Sequence, residues 1–236
     1  MSKDIYIFKR IEKKYRINQS EKDNLLSEIS ERLIPDVHGK SRIFSFYLDT
    51  PDFRLIRASI EATTYKEKLR LRCYGTPNDD SKVFFEIKKK FKGVVFKRRV
   101  SMSLTEANDY ISNGILPFDS QIMREIDYAM HFYNHPTPST LITYDREAYY
   151  VKNAPHIRIT FDSNIRYQAD DCFYETENGR QILSDGEYIL EIKTDGAMPK
   201  WLSNALDKCE IRPSSFSKYG TAYREMMTNQ PEAISV

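Results

Sequence analysis

The chain has 236 residues, 40% of them hydrophobic and 13% aromatic, with 36 basic against 34 acidic residues and a formal charge of +2. That apolar content excludes a disordered chain, and the length suffices for one large domain, 1–236, with a tail over 229–236. Net charge so close to zero identifies no partner, so the information lies in how charge is distributed along the chain.

No run approaches the roughly 18–20 apolar residues of a membrane span. Charges interrupt Met1–Arg10 where a signal peptide needs an apolar core, which argues against secretion. Cys73, Cys172 and Cys209 are odd in number and share no CxxC spacing, so a disulfide framework or zinc site is not expected and a reducing, cytoplasmic setting is.

Period-2 alternation predicts a first strand over Lys9–Ile17. Ser20 and Asp23 then resemble a capping box for a helix carrying Leu25, Leu26, Ile29 and Leu33. A strand over Arg42–Asp49 leads to a short helix opened by Thr50-Pro51. Strands over Glu67–Tyr74, Val83–Lys90 and Val94–Val100 follow, joined by Tyr74–Asp80 and by a Lys92-Gly93 turn. Helices are predicted over Thr105–Asn113, stopped by Gly114, and over Ser120–Tyr133. Strands over Leu141–Tyr150, His156–Arg166 and Glu187–Thr194 enclose a polar excursion, Gln168–Gly186, read as a long hairpin loop. Helices over Pro199–Lys208 and Ser215–Met227 end the fold. So many antiparallel strands at short spacing predict an α+β fold, an antiparallel β-barrel tunnel with helices packed on its outside.

Residues two apart on a strand share a face. One face therefore collects Arg10, Glu12 and Lys14; another Lys68, Arg70 and Arg72; others Glu86 with Lys88, Lys97 with Arg99, Tyr144 with Arg146, Arg158 with Asp162, and Glu191 with Lys193. A half-solvated sheet accounts for any one of these. Together they place Arg or Lys at the centre of strand after strand, and like charges opposite one another destabilise a sheet unless a polyanion offsets them. Arg supplies fork-shaped donors suited to phosphate oxygens. Glu12, Glu86 and Glu191 on the same faces are either salt-bridge partners or oxygen ligands for Mg²⁺ or Mn²⁺ shared with substrate phosphates. Nucleic acid is not expected as a partner, because exposed aromatics do not interleave with these cations. His38, His131, His135 and His156 show no ligand spacing, and Trp201 reads as packing.

The order Arg10-x-Glu12-x-Lys14-Tyr15, Tyr47-Leu48-Asp49-Thr50, Lys68-Leu69-Arg70-Leu71-Arg72, Phe85-Glu86-Ile87-Lys88, Lys97-Arg98-Arg99, Tyr144-x-Arg146, Arg158-Ile159-Thr160-Phe161-Asp162, Leu190-Glu191-Ile192-Lys193 and Ser215-Phe216-Ser217-Lys218-Tyr219-Gly220 resembles the VTC domain. This is the polyphosphate polymerase domain of the vacuolar transporter chaperone complex, one of the triphosphate tunnel metalloenzymes. The resemblance implies a tunnel in which the γ-phosphate of ATP is added to polyphosphate, with ADP released and Mn²⁺ or Mg²⁺ as cofactor. It implies Lys14, Arg70, Arg72, Lys88, Lys97, Arg146, Arg158 and Lys218 as phosphate ligands, Tyr144 and Ser217 as hydrogen-bonding groups and Glu191 as metal ligand. Arg70, Arg72, Lys88 and Arg158 are expected to neutralise the transferred group, and Arg10, Lys68, Arg99 and Lys193 to line the same faces. Arg10 stands where the wider superfamily has the first Glu of a Glu-x-Glu-x-Lys pattern, and Ser215 where some members have Lys. A triphosphate hydrolase and a non-catalytic polyphosphate-binding module are the rival readings, and export of a product would need a separate membrane partner. The sequence gives no oligomeric state.

Overall fold

The alternating segments pair into a single antiparallel sheet. The computed structural model describes residues 11–61, 64–92, 94–169 and 179–229. Its strands are β1 Ile11–Asn18, β2 Leu33–Asp49, β3 Tyr65–Tyr74, β4 Lys82–Phe91, β5 Val94–Ser103, β6 Thr137–Val151, β7 Ala154–Ala169, the short β8 Arg180–Gln181, and β9 Glu187–Thr194. Its helices are α1 Gln19–Ile29, α2 Arg54–Ile60, α3 Leu104–Asn113, α4 Gln121–Phe132, α5 Lys200–Lys208 and α6 Lys218–Thr228. Among the described residues, no helix is long and apolar enough to cross a membrane.

Strand order is β1-β9-β7-β6-β2-β3-β4-β5, with β8 beside β7. The expected closed barrel is therefore corrected to an open, curled sheet: among the described residues β1 pairs only with β9, and β5 only with β4. Both edges carry charge, Lys13 and Arg16 on β1 and Arg98 and Arg99 on β5, which is how exposed edges avoid further pairing.

Local chemistry shifts some element ends. Asn18, not Ser20, caps α1: its Oδ1 accepts from the Glu21 backbone N–H at 2.9 Å, and Glu21 Oε2 accepts from the Asn18 N–H at 2.7 Å. The helix stops at Ile29, a 3₁₀ turn follows over Ser30–Arg32, and Leu33 opens β2 instead of ending the helix. α2 begins only at Arg54, because the buried Asp49 carboxylate at the end of β2 accepts from the N–H groups of Leu55 and Ile56 at 2.8 and 3.0 Å. α3 is framed as its sequence suggests, by a Ser103–Glu106 capping box and by Gly114 at φ 70°. Of the predicted excursion, β7 reaches Ala169 and pairs with β8. Residues 170–178, which include Cys172, lie outside the described residues, as do Arg10, Gly93 and 230–236.

Three apolar clusters set the layers. α3 and α4 cover Leu69, Leu71, Phe85 and Ile87 on β3 and β4. α1 and α5 cover Ile159, Phe161, Leu190 and Ile192 on β7 and β9. The period of two then turns Lys68, Arg70, Glu86, Lys88, Thr160 and Glu191 to the opposite, concave face. α6 departs from the expected outer position. Its Tyr219, Ala222 and Met226 pack on Ile43, Ile142, Ile165 and Ile189, residues of the concave face. Asn164, at φ 46°, lies where the β6–β7 register shifts, and this bulge lets Ile165 and Tyr167 continue the face begun by Thr160 and Asp162.

Candidate functional site

Strand register arranges the concave charges in rows. Lys68, Lys88 and Lys97 lie directly opposite one another across β3, β4 and β5. In the next row Tyr47, Arg70, Glu86 and Arg99 align, and beyond it Ser45, Arg72 and Phe84. On the other wing Lys14, Glu191 and Thr160 form one row across β1, β9 and β7, and Glu12, Lys193 and Arg158 the next. The curl brings the wings together: Glu12, Lys14 and Glu191 all act electrostatically on Lys88, although β1 and β4 lie near opposite ends of the strand order.

The two wings differ in how their charge is balanced. On the concave face around β7 and β9, Lys14, Arg146, Arg158, Lys193 and Lys218 each have a carboxylate. Asp162 accepts from Arg146 Nε and Nη2 at 2.6 and 2.7 Å and from Lys218 Nζ at 2.5 Å. Lys193 Nζ lies 2.8 Å from Glu191, Lys14 Nζ lies 3.3 Å from Glu12, and Arg158 Nη2 donates to Asp36 at 2.6 Å. On the concave face of β3, β4 and β5 a single described carboxylate, Glu86, takes Arg70 at 2.6 Å and Lys97 at 2.7 Å. Among the described residues Lys68, Arg72 and Lys88 have no carboxylate within salt-bridge distance. Arg72 Nε is buried with no hydrogen-bond partner among the described residues, as are Ser45 Oγ and Thr160 Oγ1. Ser217 caps α6 and its Oγ lies 3.5 Å from Lys68 Nζ. Arg99 lies at the exposed edge with its guanidinium over the Phe84 ring at 4.5 Å. Tyr144 is buried beneath Lys218 and Arg146, 4.5 and 5.2 Å from its ring.

These surroundings set protonation. Burial, reinforced by Lys88, Lys14 and Arg70, pulls Lys68 down to about 8. Burial with Arg70 and Arg72 takes Lys97 to about 7 despite Glu86. Lys88 is lowered in the same way, by burial and then by Arg70 and Lys14. Burial disfavours charge on Glu86 and Glu191, but Arg70, Arg72 and Lys97 hold the first, and Lys193, Lys14 and Arg146 the second, well below the carboxylate range. A bound polyanion would restore the lysine protons. Tripolyphosphate affinity is therefore expected to fall about 10-fold or more between pH 7 and 9, as Lys97 and Lys68 discharge. Calorimetric titration at each pH checks this, and affinity rising with pH would contradict it.

The three predicted metal carboxylates do not converge. Among the described residues no group of three or more His, Cys, Asp or Glu could hold a metal ion. Glu86 is committed to Arg70 and Lys97. Glu12 and Glu191 both act on Lys14, so this pair is close. An ion of the Mg²⁺ or Mn²⁺ type needs only one or two carboxylates when substrate phosphates complete its shell, and the ionised Glu191 with Glu12 fits that requirement. Sequence alternation displayed Asp162 beside Arg158 but gave it no role, and it did not bring forward Asp36 or the β2 face.

A domain model described as the VTC domain matches residues 9–227. The chain belongs to the VTC domain family. No curated protein matches it. The crystal structure of a proposed adenylate cyclase from Bacillus halodurans is similar at a TM-score of 0.55 and 13% identity, covering 88% of this chain and 93% of that one. A proposed adenylyl cyclase from Hippeastrum, described as revealing a dominant triphosphatase activity, is similar at a TM-score of 0.52 and 16% identity, with 92% and 96% covered. At such identities these two share a fold with the VTC domain chain and nothing further follows from them.

Proposed function

We propose that this VTC domain is a polyphosphate polymerase that transfers the γ-phosphoryl group of ATP to a growing polyphosphate chain and releases ADP. One observation carries the reading: Lys68, Lys88 and Lys97 stand in register across three strands on the same concave face as Arg72, and among the described residues Glu86 is the single carboxylate paired on that face of the wing. Such crowding is unfavourable in the empty fold and becomes favourable around a chain of phosphates.

Phosphoryl transfer depends mainly on positioning and charge. Arg72, Lys68 and Lys88 take the oxygens of the transferred group. Arg70, braced by Glu86, and Arg158, tethered to Asp36, hold the flanking phosphates. Lys14, Lys97, Arg146, Lys193, Ser217 and Lys218 line the same concave face, with Tyr144 beneath them. The acceptor is itself an anionic phosphate, so no general base is assigned. A divalent ion held by Glu191 with Glu12 would supply charge between neighbouring phosphates. A triphosphate hydrolase is the second reading, favoured by one observation: α6 packs against Ile43, Ile142, Ile165 and Ile189, so the concave face is cationic over only part of its length.

Incubation with ATP and Mn²⁺ tests the proposal. Wild-type protein is expected to form polymer on a gel together with ADP, and Glu191→Ala to lose at least about 100-fold of that rate, the scale of removing a group that stabilises transition-state charge. Near wild-type polymer formation by Glu191→Ala would remove the metal role. Free phosphate as the only product besides ADP would replace the polymerase by the hydrolase.

A further inference from the structure

We propose that β2 supplies a phosphate ligand to this site, the Tyr47 hydroxyl, with Ser45 Oγ as a second donor beside it. The inference rests on the reading of the concave face as a phosphate site and extends it to a strand that contributes none of the residues assigned above.

Tyr47 faces Arg70 across the β2–β3 ladder and Ser45 faces Arg72. The Tyr47 oxygen accepts from Arg70 Nη1 at 3.2 Å. Its own proton finds no acceptor among the described residues, although Tyr47 is only 8% exposed. A buried hydroxyl donor without an acceptor is costly. The charged groups that act most strongly on the phenol are cations, Arg70, Lys68 and Arg72 from β3, and Lys14 of β1 also acts on it; the carboxylates near it, Asp49 and Glu86, are engaged by Tyr219 and Arg70. On its remaining side the ring stacks on Tyr219 of α6, with centroids 4.3 Å apart. Tyr219 cannot serve as the acceptor, because its hydroxyl is turned away to Asp49 Oδ2 and Ser139 Oγ, each at 2.9 Å. The acceptor is supplied from outside the fold, by water or by a ligand, and the surrounding cations favour an anion that brings its own oxygens. Ser45 repeats the pattern, 1% exposed and, like Arg72 Nε opposite it, with no side-chain hydrogen-bond partner among the described residues.

Protonation supports this arrangement without carrying it. Burial favours the neutral phenol, yet Arg70, Lys68 and Arg72 outweigh it and bring Tyr47 down to about 8. Phosphate in front of the phenol would offset those cations and accept its proton, so binding should push the titration back up.

Two readouts test this on the full chain with metal-free tripolyphosphate as probe: calorimetric affinity at pH 7, and ultraviolet titration of the phenols. Tyr47→Phe keeps the ring that stacks on Tyr219 and removes only the hydroxyl. It is expected to bind about 10-fold more weakly, the scale of one hydrogen bond to a charged group. In wild type, the phenol titrating near 8 should shift up by about one unit or more when tripolyphosphate is present, and Tyr47→Phe should lack that phenol. Equal affinity in wild type and variant, or a phenol titration indifferent to tripolyphosphate, would overturn the Tyr47 assignment and leave the phosphate site standing. Should the variant fail to fold, the phenol shift is read in Tyr144→Phe, which removes the other phenol lowered by these cations and leaves Tyr47 to decide. Absence of binding to wild type would remove both the site and this ligand.

Discussion

Replacing Arg72 with alanine is expected to lower ATP-dependent turnover by about 10²–10³-fold, the scale seen when a preorganised donor to a transition state is removed. The separation of function from stability should be unusually clear at this position. Arg72 is 7% exposed and lies between Ser45 and Phe84 in the ladder, with no carboxylate partner to be stranded by its loss. Its neighbour Arg70 acts against its charge while Glu86 acts for it, so truncation relieves one repulsion and leaves Glu86 held by Arg70 and Lys97. Folding by circular dichroism should therefore change little while activity falls. Arg72→Lys should recover only part of the rate, because an ammonium lacks the planar fork that meets two phosphate oxygens at once. Arg70→Ala is a poorer probe, since it also strips Glu86 of one of its two cations. Full activity in Arg72→Ala would remove the uncompensated wing from the chemistry.

Asp162→Ala is expected to cost about 3–5 kcal/mol of stability, the range for breaking a buried ion pair from one side. Asp162 is 0% exposed and accepts from both Arg146 and Lys218. Without it two enclosed cations remain, and the nearest carboxylate to Arg146 is Glu191 at 3.7 Å. Lys218 opens α6, so the same change loosens the helix that packs into the concave face. Burial raises the Asp162 carboxyl pKa, but Arg146 and Lys218 overcome this and lower it to about 2. A depressed carboxylate pKa stabilises the fold above its unfolded value near 3.8, and that contribution is lost as pH falls toward 2. Urea denaturation at pH 7 and at pH 3 measures both effects. A loss below about 1 kcal/mol at pH 7 would show that the triad contributes no more than a surface pair.

Strand faces were legible because the period of two is local: Lys68, Arg70 and Arg72 share a side whatever the strand pairs with. Charge balance was not, because it depends on strand order. Arg158 meets Asp36 across 122 residues and Lys218 meets Asp162 across 56. Alternation placed Glu86 on the cationic face, where a metal ligand and a salt-bridge partner look alike; register then set it opposite Arg70 and beside Lys97. Closure was read from strand number, yet it depends on whether β1 and β5 meet, which no local pattern encodes. α6 has an apolar stripe suited to either side of a curled sheet, and only the isoleucines of the concave face show which side it takes. Tyr47 and Ser45 stayed hidden because, in a strand also bearing Phe44, Phe46 and Leu48, they look like core.

Whether the cationic concave face passes a phosphoryl group from ATP to a phosphate chain is decided by ³¹P NMR of the wild-type protein with ATP and a divalent metal, recorded after the metal is chelated. A signal from chain-interior phosphates should grow in step with ADP release, one for one, with little free phosphate. ADP accompanied only by free phosphate, or no consumption of ATP while tripolyphosphate still binds, would contradict it.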